Sequence, residues 1–415
     1  MNGADLPRVT TTLPGPSSRG WVDRLAAREC PAITARRARR AAQIGAADTD
    51  PIVWAEAIGA NVMDADGNVF VDLTAGFGVC AVGHRNPRVV AAVHGQVETL
   101  IHAMGDAFPD PRRIELMEAL AARTGMDRVI LGTSGSDTID AAVKTAVVAT
   151  GRSRILAFDG GYHGLAFGPL ASLGYLRSMM RAPFAGLLGT HVEWAPSGGE
   201  LPDLSGFAAV LVEPIQGRGG MRVPPAGWLA RLHERARAAG ALVIHDEVYS
   251  GCGRTGTFLA TDLRPDLLCL GKALGGGFPV SACLGTAAAM DAWGASTGAA
   301  IHTQTFLGHP VGCAAALAAL PEIDWMLADV VKRGEQLAES LRAVPGVTAV
   351  TGAGMMLGVH VADSLAVTKG LLDRGYLVLP CGEHAEALGL TPPYVLTEAQ
   401  ASGFVRALDE VLQCR

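Results

Sequence analysis

Two neighbouring stretches decide how the chain is read: LVIHDEVYSGCGRTG, residues 242–256, and DLLCLGKALGGGFPV, residues 266–280. In each, an apolar run ends abruptly on charge. The first ends on His245, Asp246 and Glu247, and the second on Lys272, which a glycine-rich turn follows. Continuous apolar runs this short, closed by glycine or polar residues, are the pattern of strands buried on both faces. Working outward, residues 129–132, 154–158, 208–212, 241–245 and 280–285 read the same way. Between and before them, residues 88–101, 112–124, 137–150 and 227–239 carry helical periodicity. The alternation predicts an α/β fold with a mainly parallel sheet covered on both faces.

Both ends of the chain read differently. The first twenty residues are rich in Pro, Thr, Ser and Gly and predict an extended arm. Residues 21–42 read as a helix, and ANVMDADGNVFVDL (residues 60–73) as a hairpin about an acidic turn at Asp64 to Gly67. From Gly308 a long Ala-rich helix leads into shorter strands and helices. The expected division is 1–70 (arm and part of a small domain), 71–310 (large domain) and 311–415 (remainder of the small domain).

The composition narrows the function classes. Of 415 residues 49% are hydrophobic and 18% charged, which suits a compact enzyme and not a disordered chain. The net charge of −6 argues against nucleic acid as a partner. One basic run, Arg36, Arg37, Arg39 and Arg40, reads as a solvated helix face. Eight cysteines without a C-x-x-C pair predict buried, reduced thiols and a cytoplasmic setting, not a zinc site. The N-terminus shows no apolar leader, and the longest uncharged stretch, 273–290, is broken by glycine and proline, so no membrane span is expected.

Ligands of such sheets collect at the C-terminal strand ends. Ser134, Gly135 and Ser136 stand between an apolar strand and a helix, where small residues let backbone N–H groups reach an anion. The plainer alternative is that Ser136 caps the helix. Tyr162 and His163 follow the next strand; an aromatic there can stack on a planar ligand or simply be half-buried. Asp246 and Glu247 could serve acid/base chemistry, hold magnesium, or hold a protonated heterocyclic nitrogen. Lys272 ends an apolar strand. Burial would lower its pKa and make it a Schiff-base nucleophile, unless it snorkels to the surface.

In order and spacing these residues resemble one family. SGSDTIDAAVK, FDGGYHG, LVEPIQGRGGM, IHDEVYSGCGRTG, LGKALGGGFP, TQTFLGHP and LTPPYVLT, with DLTAGFGVCAVGHRNPRV before them, look like the class III (ω-amino-acid type) aminotransferases of pyridoxal 5′-phosphate (PLP) fold type I. The likeness runs from about residue 14 to about residue 396. It implies an aspartate-aminotransferase-like large domain and a smaller α+β domain built from both termini. By resemblance, Lys272 forms a Schiff base with PLP, and Asp246 pairs with the pyridine nitrogen. Tyr162 and Val248 face the two sides of the ring, with His163 beside it. Ser134, Gly135 and Ser136 hold the phosphate, and Glu213 and Gln216 lie near the ring edge. Thr305 reaches the phosphate from the other subunit of a homodimer. No metal is required. The implied reaction passes an amino group from a small donor to an oxo acid. A PLP-dependent racemase on the same scaffold is the alternative, and a non-catalytic binding protein a remote one.

The chain departs from that pattern at three places. Many relatives carry arginine after Tyr-His-Gly and three residues before the late Pro-Pro, where this chain has Leu165 and Gly389. Where many carry glutamate after Gln-Gly, it has Arg218. Arg218 is therefore the candidate carboxylate anchor, since a guanidinium grips carboxylates in a fork.

Overall fold

The structure is a computed structural model and describes residues 1–30, 51–295, 298 and 300–414. Its central sheet has seven strands, in the order Arg128–Gly132, Ser281–Gly285, Leu267–Leu270, Leu242–Asp246, Phe207–Val212, Arg154–Phe158 and Val192–Ala195. The last five are mutually parallel. Ser281–Gly285 runs antiparallel to both neighbours. The cause is the connection before it. The loop 271–280 holds Lys272 and a single 3-10 turn, and it is too short for the helical crossover that a parallel return needs.

The strands are apolar throughout because both faces are covered. Ala209 and Leu211 face one side, in a cluster with Ile139, Ala142 and Ala146 of the helix Gly135–Thr150. Val210 and Val212 face the other, against Trp228, Leu232 and Ala236 of the helix Trp228–Ala239. That is the two-residue period of a pleated strand.

Two four-stranded sheets flank this core. One joins Trp54–Ile58, Asn61–Asp64 and Val69–Asp72 to Tyr376–Leu377, so early and late segments of the chain share a sheet. The other contains Val347–Ala353, Met356–Val361, Ala387–Leu390 and Leu379–Cys381. The helix Pro310–Arg342 spans two cores: Cys313, Ala316 and Leu320 pack in one, Leu337 and Leu341 in the next. Its length and composition would suit a membrane span, yet these residues are packed inside the protein.

Two sequence expectations shift. The first helix is Pro16–Ala26, earlier than residues 21–42. The remainder of that expectation, with Arg36, Arg37, Arg39 and Arg40, lies outside the described residues. The helix expected from residue 137 begins at Gly135, because Ser134, not Ser136, is its cap. Ser134 accepts from Asp137 N, and the Asp137 side chain accepts from Ser134 N at 2.9 Å, a reciprocal capping box. All eight cysteines are free thiols, but burial holds only for Cys252, Cys269, Cys283, Cys313 and Cys381; Cys30 and Cys414 are exposed and Cys80 is half-buried.

Candidate active site

A cavity of about 390 Å³ opens at the C-terminal ends of the central strands. Ser134, Gly135, Ser136, Tyr162, His163, Glu213, Arg218, Asp246, Val248 and Lys272 all line it. Residues spread over 138 positions of sequence thus converge because each directly follows a strand of one sheet. Two expected members stand apart. Gln216 is buried behind the wall, its Nε2 donating to the Asp159 carbonyl at 2.8 Å. Thr305 is exposed and lies outside the lining of its own chain's cavity.

Lys272 sits at the cavity floor in a left-handed backbone conformation, φ +40°, which costs a non-glycine residue energy and marks functional turns. Its Nζ stands 4.0 Å from the centre of the Tyr249 ring. Burial pushes its amine down to about 8, although Asp246 and Glu213 pull the other way. An amine so placed is uncharged in an appreciable fraction near neutral pH, as a nucleophile or base must be.

Asp246 is buried, and each of its oxygens has a protein donor. Oδ1 accepts from Val248 N at 3.1 Å, and Oδ2 bonds His163 Nδ1 at 2.8 Å. Burial opposes a charge on His163, but this bond outweighs it and raises the imidazole's pKa. The pair sets a hydrogen-bonded carboxylate beside the cavity, where it can hold a cationic nitrogen. Glu213 takes amide hydrogens from Tyr162 at 2.9 Å and Gly217 at 3.1 Å. Burial, aided by the charge on Asp246, pushes its carboxyl up to about 7.

Gly135 and Ser136 begin a helix, so their N–H groups have no carbonyl in the preceding turn to receive them. A Cβ on Gly135 would lie 2.9 Å from Val248 Cγ1, so only glycine lets this turn pass so close to the Val248 wall. The arrangement fits PLP, group by group. A helix start suits the phosphate, a buried carboxylate suits the ring nitrogen, Tyr162 and Val248 are available to flank a flat ring, and a depressed amine suits the aldehyde.

Several residues of the site escaped sequence reasoning. Tyr249 lies beneath Lys272, and its hydroxyl is 3.2 Å from Thr391 Oγ1, which in turn donates to the Thr74 carbonyl at 3.0 Å. Thr74 begins a turn in which Ala75, Gly76, Phe77 and Gly78 all have positive φ. Buried Asp72 holds that turn. It accepts from Thr74 N at 2.7 Å, from Gly76 N at 3.1 Å and from His84 Nε2 at 2.8 Å. Burial works against the His84 charge, but Asp72 and Cys80 outweigh it and push the imidazole up to about 9. Tyr249 did carry a signal, as the aromatic three residues after Asp246. The turn carried none, because left-handed backbone at Ala and Phe follows no propensity.

The chain is similar to proteins of known activity. The pattern described as aminotransferase class-III matches residues 44–195 and 204–412. The acetylornithine aminotransferase of Corynebacterium efficiens is 39% identical over 387 residues, covering 88% of this chain and 93% of that protein. That of Methanosarcina acetivorans is 35% identical, covering 87% and 91%. Among solved structures, the ornithine aminotransferase of Toxoplasma gondii superposes with a TM-score of 0.83 at 26% identity, covering 97% of this chain and 96% of that one. A PLP-bound amine transaminase from an uncultivated Pseudomonas species gives 0.80 at 28% identity, covering 88% and 96%.

Proposed function

The chain belongs to the class III aminotransferases, and on that premise we propose how its own residues hold the cofactor and choose the substrate. The enzyme is PLP-dependent and passes an amino group from a small donor to an oxo acid. Bound PLP supplies the aldehyde that takes up the amino group and a cationic ring that draws electron density from the substrate carbon.

The protein's part falls to named atoms. Lys272 Nζ would carry the cofactor at rest, and as a free amine it would move the proton at the substrate carbon. Asp246, oriented by its bond to His163, would hold the ring nitrogen. The Gly135 and Ser136 amides bind the phosphate. Tyr162 and Val248 confine the ring, and Glu213, with its pKa near neutrality, lies by the ring edge. The observation that carries this reading is the convergence of a depressed lysine and a His-paired carboxylate in one cavity. Borohydride treatment of the purified enzyme followed by peptide mapping should place the cofactor on Lys272; label on any other residue, or none, refutes it.

We propose Arg218 as the clamp for a substrate carboxylate. It lines the cavity, and its guanidinium stands over the rings of Tyr175 and Tyr162, at 5.4 and 5.9 Å, with no ion pair to any described carboxylate. A second copy of the chain completes the site. Ile101, Met104, Phe108, Ile301 and Phe306 expose 55–69% of their surfaces around Thr305. A hydrogen bond of 3.0 Å from Thr303 Oγ1 to Asp106 joins the two loops into one patch. Apolar exposure on that scale marks an interface, and it would carry Thr305 to the neighbouring phosphate. The free thiols suit the cytoplasm.

A further inference from the structure

We infer that the amino acceptor is a short 2-oxo acid with a single carboxylate, and that the site rejects a second carboxylate on the substrate. The inference rests on reading Arg218 as the clamp and follows from counting the cations within reach. Lys272 is committed to the cofactor. Arg254 is fully buried, and its Nη1 is occupied by the carbonyls of Met355 and Pro392. Arg222 is paired with Glu386 at 2.7 Å, and Arg177 with Asp159 at 3.0 Å. Among the described residues that leaves Arg218 as the one uncommitted cation at the cavity.

The walls around Arg218 offer a second carboxylate no substitute. On one side the cavity edge is Leu165 and Ala166, with Leu165 48% exposed. On the other, beyond Tyr249, lies a cleft of only about 20 Å³ bordered by Arg218 itself, by Phe77, Met221, Cys381 and Gly389, and by Thr74 and Thr391, whose hydroxyls are already donated to Asp72 and to the Thr74 carbonyl. That is room for about one water molecule, not for a hydrated carboxylate. Nor does Gly389 leave a hollow. A Cβ there would meet Met221 Cε at 3.2 Å and Cys381 Sγ at 3.3 Å, so sulfur side chains already fill the space. A substrate clamped at Arg218 by one carboxylate would find no second cation and no free hydroxyl donor for its other carboxylate within the cleft, and losing water there without a partner is costly.

The test uses apoenzyme loaded with pyridoxamine 5′-phosphate and mixed with pyruvate, 2-oxoglutarate or uncharged butanal, with absorbance following the half-reaction. Pyruvate should exceed 2-oxoglutarate at least tenfold in rate over dissociation constant. Calorimetry of the PLP-loaded enzyme with inert propionate and glutarate should show the same order without turnover. Equal or better performance by 2-oxoglutarate, or tighter binding of glutarate, overturns the single-carboxylate inference and leaves the clamp standing. Arg218→Ala should shrink the preference for pyruvate over butanal at least tenfold. An unchanged ratio removes the clamp itself, and the inference with it.

Discussion

Gly135→Ala separates the cofactor cradle from the stability of the helix it begins. The new Cβ would sit 2.9, 3.3 and 3.7 Å from Val248 Cγ1, Cγ2 and Cβ. The first of these is about 1 Å inside the usual optimum between carbon atoms. Val248 must move, and the cavity lies beside it. Overpacking of this degree costs about 1–3 kcal/mol, or roughly five- to 150-fold in an equilibrium constant. Without the cofactor, Val248 can tilt into the empty cavity and relieve the clash; with it, the ring blocks that escape. The penalty therefore falls on PLP binding. The helix itself gains, by up to about 1 kcal/mol, since alanine is the better helix former. Titration of apoenzyme with PLP should show weaker binding by at least fivefold, while the apoenzyme melts no lower than wild type. Val248 also flanks the ring, so the coupling is read in a double-mutant cycle: Val248→Ala should cost less PLP affinity in the Gly135→Ala chain than in wild type. PLP affinity within twofold of wild type would refute the cradle, and so would strictly additive losses in that cycle.

Two further outcomes concern pH. Apoenzyme should be destabilised by Lys272, whose pKa in the folded state, about 8, lies below the 10.5 of an ordinary lysine. Between those values the unfolded chain binds the extra proton, so stability rises with pH across that window. Lys272→Met apoenzyme should be the more stable at pH 7, by at most about 3 kcal/mol because the open cavity screens the charge, and the gap should close by about pH 10.5 in urea titrations. His84 has the opposite sign. Its folded value, about 9, lies above 6.5, so its contribution is complete below pH 6.5 and is lost as pH rises through 9. His84→Gln should lose up to about 3 kcal/mol at pH 6 and little at pH 10, a comparison that thermal melts at the two pH values settle.

What could be read beforehand follows a physical division. Strand positions were legible because a strand covered on both faces must be apolar at every residue, as 207–212 and 267–270 are. The residues after the strands were legible because a charge at the end of an apolar run needs a reason. Antiparallel pairing of Ser281–Gly285 was not, since it depends on the length of a loop and not on composition. The capping serine was misplaced by two residues because Ser134 and Ser136 are equally good caps, and only the return bond from Asp137 chooses between them. The turn from Thr74 to Gly78 reaches Lys272 from a segment far away in sequence, and a contact of that kind leaves no local pattern.

Those long-range contacts bear on how Arg218 came to be usable. Its side chain belongs to a loop after the central strand Phe207–Val212, yet its own carbonyl accepts from Gly382 N at 2.9 Å, in the segment beside the flanking strand Leu379–Cys381. Nearby, Tyr175 donates to the Gly382 carbonyl and Glu383 accepts from Leu176 N at 2.7 Å. The guanidinium is thus aimed from both the central and the flanking sheet. A cation held only by a flexible stem would gain little from gripping a carboxylate, because ordering the stem costs nearly as much as the grip returns. With its backbone pinned at Gly382 and its fork laid over Tyr162 and Tyr175, most of that ordering is already done before a substrate arrives. The same pinning makes the position unforgiving. Lysine at 218 would keep the charge, but it would lose the planar face that rests on the tyrosines and the second hydrogen bond of the fork.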